Sequence, residues 1–124
     1  MMKRHEAREK AVQTLFQLDN TTVTLEEAIP YIANQPLNDF YEGLVRGVVE
    51  HSEALDALLT EQLENWTIDR LPKMERTILR LAIYELNYTD TPERVVMNEA
   101  VELCKTFSDE QSGKFVNGVL SKFQ

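Results

Sequence analysis

Apolar residues recur at helical spacing along almost the whole of this chain, and no convincing strand alternation interrupts them. The pattern is densest over residues 73–88. There Ile78, Leu79, Leu81, Ala82, Ile83 and Leu86 occupy most of a helix circumference. Only the strip Arg76, Arg80 and Tyr84, at i, i+4 and i+8, reads as exposed. A helix apolar on nearly every side needs neighbours on nearly every side, so this one is expected to be central. Helix breakers are scarce: Gly and Pro together number 8 of 124 residues, below the usual ~12%. Few turns and long elements exclude a sandwich or barrel and predict an all-α bundle of six or seven helices.

The other elements follow from stripes and breaks. Ala7, Ala11, Leu15 and Leu18 form one stripe, so residues 3–19 read as a helix. Thr24 and Glu27 form a capping box that opens a short helix to about Ala33, and Pro36 stops it. Residues 38–65 read as one long or slightly broken helix. Leu44, Val48, Leu55, Leu58, Leu59 and Leu63 share an arc, and His51 falls within it. Asp39, Glu42, Glu50, Glu53, Asp56, Glu61 and Glu64 share the opposite arc, which reads as a solvated face or a dock for a basic partner. Gly43 and Gly47 suit close helix packing or a break. Pro72 introduces the central helix. Thr91-Pro92 is expected to cap a helix over 92–107 that buries Val96, Ala100, Val101, Cys104 and Phe107. Ser108 and Gln111 are expected to box the start of the last helix, 109–122.

With no linker or repeat, residues 1–124 read as a single domain. No apolar run approaches the ~18 residues of a membrane span, and MMKRHEAREK lacks the apolar core of a signal peptide. The lone Cys104 suits a reducing, cytoplasmic setting. The net charge is −8. Residues 26–65 carry nine acidic side chains against Arg46 alone, whereas residues 1–20 are net +1. An acidic chain is repelled by nucleic acid at long range, so any such contact must be local and salt-sensitive.

No catalytic constellation emerges, and neither cofactor nor metal is expected. His5 and His51 lack Cys or Asp at ligand spacing. Glu99 and Glu102 are three apart without a companion Glu-x-x-His, so a surface pair or structural hydrogen bond is the better reading. Cys104 reads as a small buried hydrophobe. Glu85 falls inside the apolar arc of the central helix, where a carboxylate needs a partner. An internal hydrogen bond or ion pair is expected, though no spacing identifies the other half. Glu75, in the first turn of the same helix, suits the helix dipole and equally suits a protein interface.

The first helix carries the strongest anomaly. Lys3, Arg4 and Arg8 sit at its start, where the dipole disfavours cations. Arg4 and Arg8 also extend the apolar stripe. They read either as stems lying over a core edge or as a phosphate-binding clamp. In the second reading, removing both weakens RNA binding and leaves thermal stability intact. Lys114, Asn117 and Phe115 on the last helix combine charge, hydrogen bonding and an edge aromatic, which suits single-stranded RNA; Phe115 equally reads as core.

Three blocks, REKAVQTLFQLD at 8–19, MERTILRLAIYEL at 74–86 and VVMNEAVELCKTFSDEQSGKFVNGVLSK at 95–122, are characteristic. Through them the chain resembles the NusB family of bacterial transcription antitermination factors over essentially its whole length. The resemblance implies a non-enzymatic, all-helical protein of two small subdomains packed crosswise. It implies binding of single-stranded boxA RNA on nascent ribosomal transcripts together with NusE, the ribosomal protein S-ten. It also implies entry into the RNA polymerase antitermination complex. Matched by position, the RNA surface is Lys3, Arg4, His5, Arg8, Lys114, Phe115 and Asn117. The NusE surface is Phe16 and Glu75. Glu6 and Glu9 thin the basic start, which favours dependence on a basic partner, and Met1, Met2 and Lys3 are expected to be loose without RNA.

Two other readings remain. NusB-like domains also serve as RNA-recognition parts of ribosomal RNA methyltransferases, but no α/β unit or Gly-rich cofactor loop is present here. The free chain could also be a monomer or a homodimer that hides its own binding surfaces.

Overall fold

The computed structural model describes residues 2–33, 38–63 and 67–123. Met1, the stop at Pro36 and the acidic-face residue Glu64 lie outside the described residues. Within them the chain forms seven α-helices and no strand: α1 (Arg4–Asn20), α2 (Leu25–Ala33), α3 (Asp39–Glu50), α4 (Ser52–Gln62), α5 (Lys73–Tyr88), α6 (Glu93–Phe107) and α7 (Glu110–Leu120). Two single 3-10 turns, Ile68–Arg70 and Ser121–Phe123, complete the described elements.

The central helix has the bounds its spacing predicts. α5 packs against α1, α3, α4, α6 and α7, and Ile78, Leu79 and Ile83 are fully buried. Each such side chain contributes about 1.5–3 kcal/mol of burial. α1 runs antiparallel to it, because Arg8 meets Glu85 near one end and Asp19 meets Arg76 near the other. α6 is also antiparallel to α5: Thr91 touches Glu85, and Ser108 touches Glu75.

Local chemistry sets the helix boundaries. The capping box at α2 forms as expected, with the Glu27 amide donating to Thr24 Oγ1 at 3.2 Å and the Thr24 amide donating to Glu27 Oε1 at 3.1 Å. Those bonds from Thr24 hold the Glu27 carboxyl below its usual range. The long helix expected over 38–65 is broken at His51, which leaves helical geometry in ψ (φ −103°, ψ 16°) and sits 2.9 Å through Nδ1 from the Gly47 carbonyl. His51, on the apolar arc of its sequence, is thus a half-buried junction residue whose ring lies 4.1 Å from that of Tyr88, tilted by 36°. Gly47 does serve close packing: a Cβ there would collide with the ring of Tyr84, whereas one on Gly43 would meet open space.

Several local expectations are corrected. Asp109, not Ser108, caps α7, accepting from the Ser112 amide at 2.8 Å. Its carboxylate reaches an orphan amide that the shorter Ser108, one residue too early, does not. Pro92, not Thr91, occupies the cap position of α6, and the Thr91 hydroxyl turns instead to Glu85. The Arg76–Arg80 strip is not exposed, and the two side chains retain only 14% and 18% of their accessibility. Asp19 of α1 takes Arg76 at 2.9 Å, and Asp56 of α4 holds Arg80 bidentately at 2.7 and 2.8 Å. Burial opposes the Arg80 charge, but Asp56 and Asp19 outweigh it and raise the guanidinium above its ordinary range. Asp56 therefore belongs to the interior edge and not to the solvated acidic face. Met2, expected to be loose, is only 6% exposed and lies in the core cluster, and its carbonyl accepts from Asn38 Nδ2 at 3.5 Å.

Candidate nucleic-acid interface

The start of α1 lies against the α5–α6 turn, and the two sequence anomalies there resolve one another. Arg8 is 2% exposed, and so is Glu85. Arg8 Nε donates to Glu85 Oε2 at 2.8 Å and its second terminal nitrogen donates to Oε1 at 2.9 Å. The remaining nitrogen reaches Glu99 Oε1 at 3.3 Å. Thr91 Oγ1 adds a bond to Glu85 Oε1 at 3.1 Å. Burial disfavours the Arg8 charge, but Glu85 and Glu99 more than compensate, and the guanidinium is raised above its ordinary value. Arg8, expected as half of a phosphate clamp, is therefore sealed inside the bundle with its charge neutralised. Glu85 would be left buried and unpaired by the loss of Arg8, so that loss is expected to cost stability, against the sequence expectation that it spares it.

The neighbours of Arg8 face outward. Lys3 and Arg4 are exposed, and Arg4 lies over the ring of Phe40, 4.3 Å from its centroid. Arg8 approaches the same ring at 5.1 Å. His5 Nδ1 sits 2.7 Å from Glu99 Oε2, and Nε2 is 3.6 Å from Glu9. The Glu99 hydrogen bond, helped by the charges of Glu99, Glu9 and Glu102, raises the His5 pKa above its ordinary value. Glu99 is thus a structural acceptor, as its spacing suggested. Among the described residues, no group of three metal-ligating side chains gathers.

The last helix divides the remaining candidates. Lys114 and Asn117 are exposed on α7, which packs on α6 and α5. Phe115 is half-buried against the core and lines a groove with Leu71, Pro72, Glu75, Asp109, Gln111 and Ser112. Phe115, assigned to RNA, therefore shares a groove with Glu75, assigned to the protein partner. Glu75 is half-buried and accepts a long bond of 3.4 Å from the Ser108 hydroxyl. Phe16 is half-buried on α1. Cys104 is a buried thiol pushed up by desolvation, as befits a core residue.

Sequence reasoning missed Phe40, because a ring under a cation from another helix leaves no periodic trace. It also missed Glu99 as the partner of His5, and Thr91 as a ligand of Glu85. The one available signal was the pairing of oddities: a cation on an apolar stripe and a carboxylate on another apolar arc.

The family model for the NusB family matches residues 5–124. A transcription antitermination protein NusB of Lysinibacillus sphaericus is 66% identical over 123 residues, covering 98% of this chain and 97% of the relative. That of Bacillus subtilis is 49% identical, covering 99% and 95%. A crystal structure of antitermination factors NusB and NusE in complex with dsRNA includes a chain 35% identical, with a TM-score of 0.86 and coverage of 98% and 96%. A chain in the crystal structure of a plectonemic RNA supercoil is 36% identical, with a TM-score of 0.89 and coverage of 98% and 94%. Among the described residues no helix is long and apolar enough to cross a membrane. Sequence and fold agree: the chain belongs to the NusB family, whose relatives at this level of identity are transcription antitermination proteins.

Proposed function

We propose that this chain is an antitermination factor that binds boxA single-stranded RNA on nascent ribosomal transcripts together with NusE. As part of that complex it joins the elongating RNA polymerase in the cytoplasm. Residues 1–124 act as one non-catalytic RNA-binding unit. The observation that carries the reading is the outward-facing cationic start of α1, with Arg4 held over Phe40, in a chain that a family model matches almost from end to end. Lys3 and Arg4 meet phosphates, and His5 joins them when protonated. Lys114 and Asn117 extend the contact along α7, with Phe115 at its edge. Arg8 does not touch RNA; it fixes the helix that carries Arg4.

With only Lys3, Arg4 and His5 facing outward at the start of α1, on a chain of net charge −8, affinity for RNA by this chain alone is weak. A basic NusE, docked on Phe16 and Glu75, supplies the missing charge. A single strand is favoured over a duplex because aromatic stacking needs unpaired bases. The test is binding of a labelled boxA-type strand, and of its duplex, with and without NusE. Tight binding of the strand only with NusE is expected. Equal affinity for the duplex would replace the single-strand reading, and no binding in any combination would overturn the proposal. Glu75→Arg is expected to abolish co-purification with NusE; intact pairing would remove Glu75 from that surface.

A further inference from the structure

A groove at the mouth of the Arg8–Glu85 pair is lined by Arg4, Phe40, the turn from Thr89 to Pro92, and Val95. It brings together four kinds of group that a nucleobase uses. Phe40 offers an aromatic face. Arg4 offers an exposed cation that lies over that face, 4.3 Å from the ring centroid. Asp90 offers an exposed carboxylate able to accept from base amino or imino hydrogens. Val95, 36% exposed, offers an apolar edge. The groove has a volume of about 560 Å³, ample for one base and its ribose.

The back wall is rigid for a physical reason. Arg8 sits 5.1 Å from the Phe40 centroid and is itself locked by Glu85. Glu85 is in turn held by Thr91, and its backbone carbonyl accepts from Thr89 Oγ1 at 2.7 Å. The Thr89 hydroxyl also accepts from the Thr91 amide at 3.2 Å. The ring and the turn therefore line opposite sides of the groove, with the exposed side chain of Arg4 over the ring.

We infer that this groove is a base-binding subsite in which one unstacked nucleotide of the RNA lies on Phe40. Arg4 moves from the ring to the adjoining phosphate or closes over the base as a second layer. Asp90 selects bases that present N–H donors toward the turn, which favours guanine, whose adjacent N1–H and N2–H suit both carboxylate oxygens, over bases with a single donor group on that edge. Arg8 is a positioning residue that steadies Phe40 from behind. The inference rests on the RNA-binding proposal above and assigns a specific contact within it.

The test is an abasic scan. A boxA-type single strand is made as a set in which each base in turn is removed, and each member is titrated against the chain with NusE present. One position is expected to lose about 5- to 150-fold in affinity, the range of one aromatic–base stack. In Phe40→Leu that same position loses nothing further on base removal, while the penalties at all other positions persist. Phe40→Tyr restores the position-specific penalty, which a merely structural role for Phe40 does not predict. Thermal melts of both variants establish that the fold survives, and if Phe40→Leu unfolds, Phe40→Tyr and Asp90→Asn carry the test through the base preference. Binding by the wild-type protein with every penalty unchanged in Phe40→Leu would overturn the subsite and leave RNA binding standing. Absence of wild-type binding would overturn both.

Discussion

Replacing Arg8 by Ala removes the cation that pairs with Glu85 in the bundle interior. Glu85 is 2% exposed, so water cannot replace the two hydrogen bonds at 2.8 and 2.9 Å that the guanidinium supplies. Stranding one member of such a pair costs about 3–5 kcal/mol. That is a large fraction of the roughly 5–15 kcal/mol that stabilises a domain. At about 3–5 °C per kcal/mol for a chain of this size, the midpoint of thermal unfolding falls by roughly 10–25 °C. The assay is thermal and urea denaturation followed by circular dichroism at neutral pH. The pair variant Arg8→Met with Glu85→Leu replaces both ions by apolar side chains of similar length. It is expected to regain most of the loss, because the desolvation cost of both charges disappears with their attraction. A single variant within about 0.5 kcal/mol of wild type, the usual spread of surface substitutions, would refute the reasoning. So would a pair variant no more stable than Arg8→Ala.

Three further outcomes follow from the geometry. The His5 pKa is raised in the folded protein by Glu99, so the pair stabilises fully below the unfolded value near 6.5 and is lost as pH rises through the folded value. An NMR titration should place the His5 midpoint above ~6.5 and move it down toward that value in Glu99→Gln; an unmoved midpoint would contradict the pairing. Gly47→Ala drives a Cβ into the Tyr84 ring and is expected to cost about 1–3 kcal/mol, whereas Gly43→Ala, in open space, should be neutral or stabilising by up to ~1 kcal/mol. Urea midpoints compare the two directly, and equal effects would be inconsistent with the close approach of α3 to α5. Asp109→Ala should cost about 1 kcal/mol through loss of the α7 cap, while Ser108→Ala should cost markedly less; the reverse order would return the cap to Ser108.

The sequence makes the helices legible because their periodicity is a property of each segment alone. α5 was readable to the residue from Lys73 to Tyr88, since a helix apolar on most sides admits one assignment. Capping was less legible: Thr24 caps as read, but Ser108 and Asp109 are both competent and adjacent, and only the backbone path chooses between them. The fate of each charge was the least legible. Arg76 and Arg80 looked exposed because their own helix leaves that strip polar, yet Asp19 and Asp56 arrive from other helices to cover it. Arg8 and Glu85 each stand out on their own apolar stripes, 77 residues apart, and nothing in local spacing joins them. Phe40 stands in no pattern that its own helix makes visible. The candidate surface was thus legible as a region, at the start of α1, but not as a division of labour among its arginines.

That division is most directly measured by the salt dependence of affinity for a boxA-type strand, with NusE present, in three proteins. In Arg4→Ala the slope of log affinity against log salt should shrink in magnitude by about 0.7, the value for one lost contact to single-stranded RNA. In the Arg8→Met, Glu85→Leu pair variant the slope should equal that of wild type, because Arg8 meets no phosphate. An unchanged slope in Arg4→Ala, or a reduced one in the folded pair variant, would contradict the account.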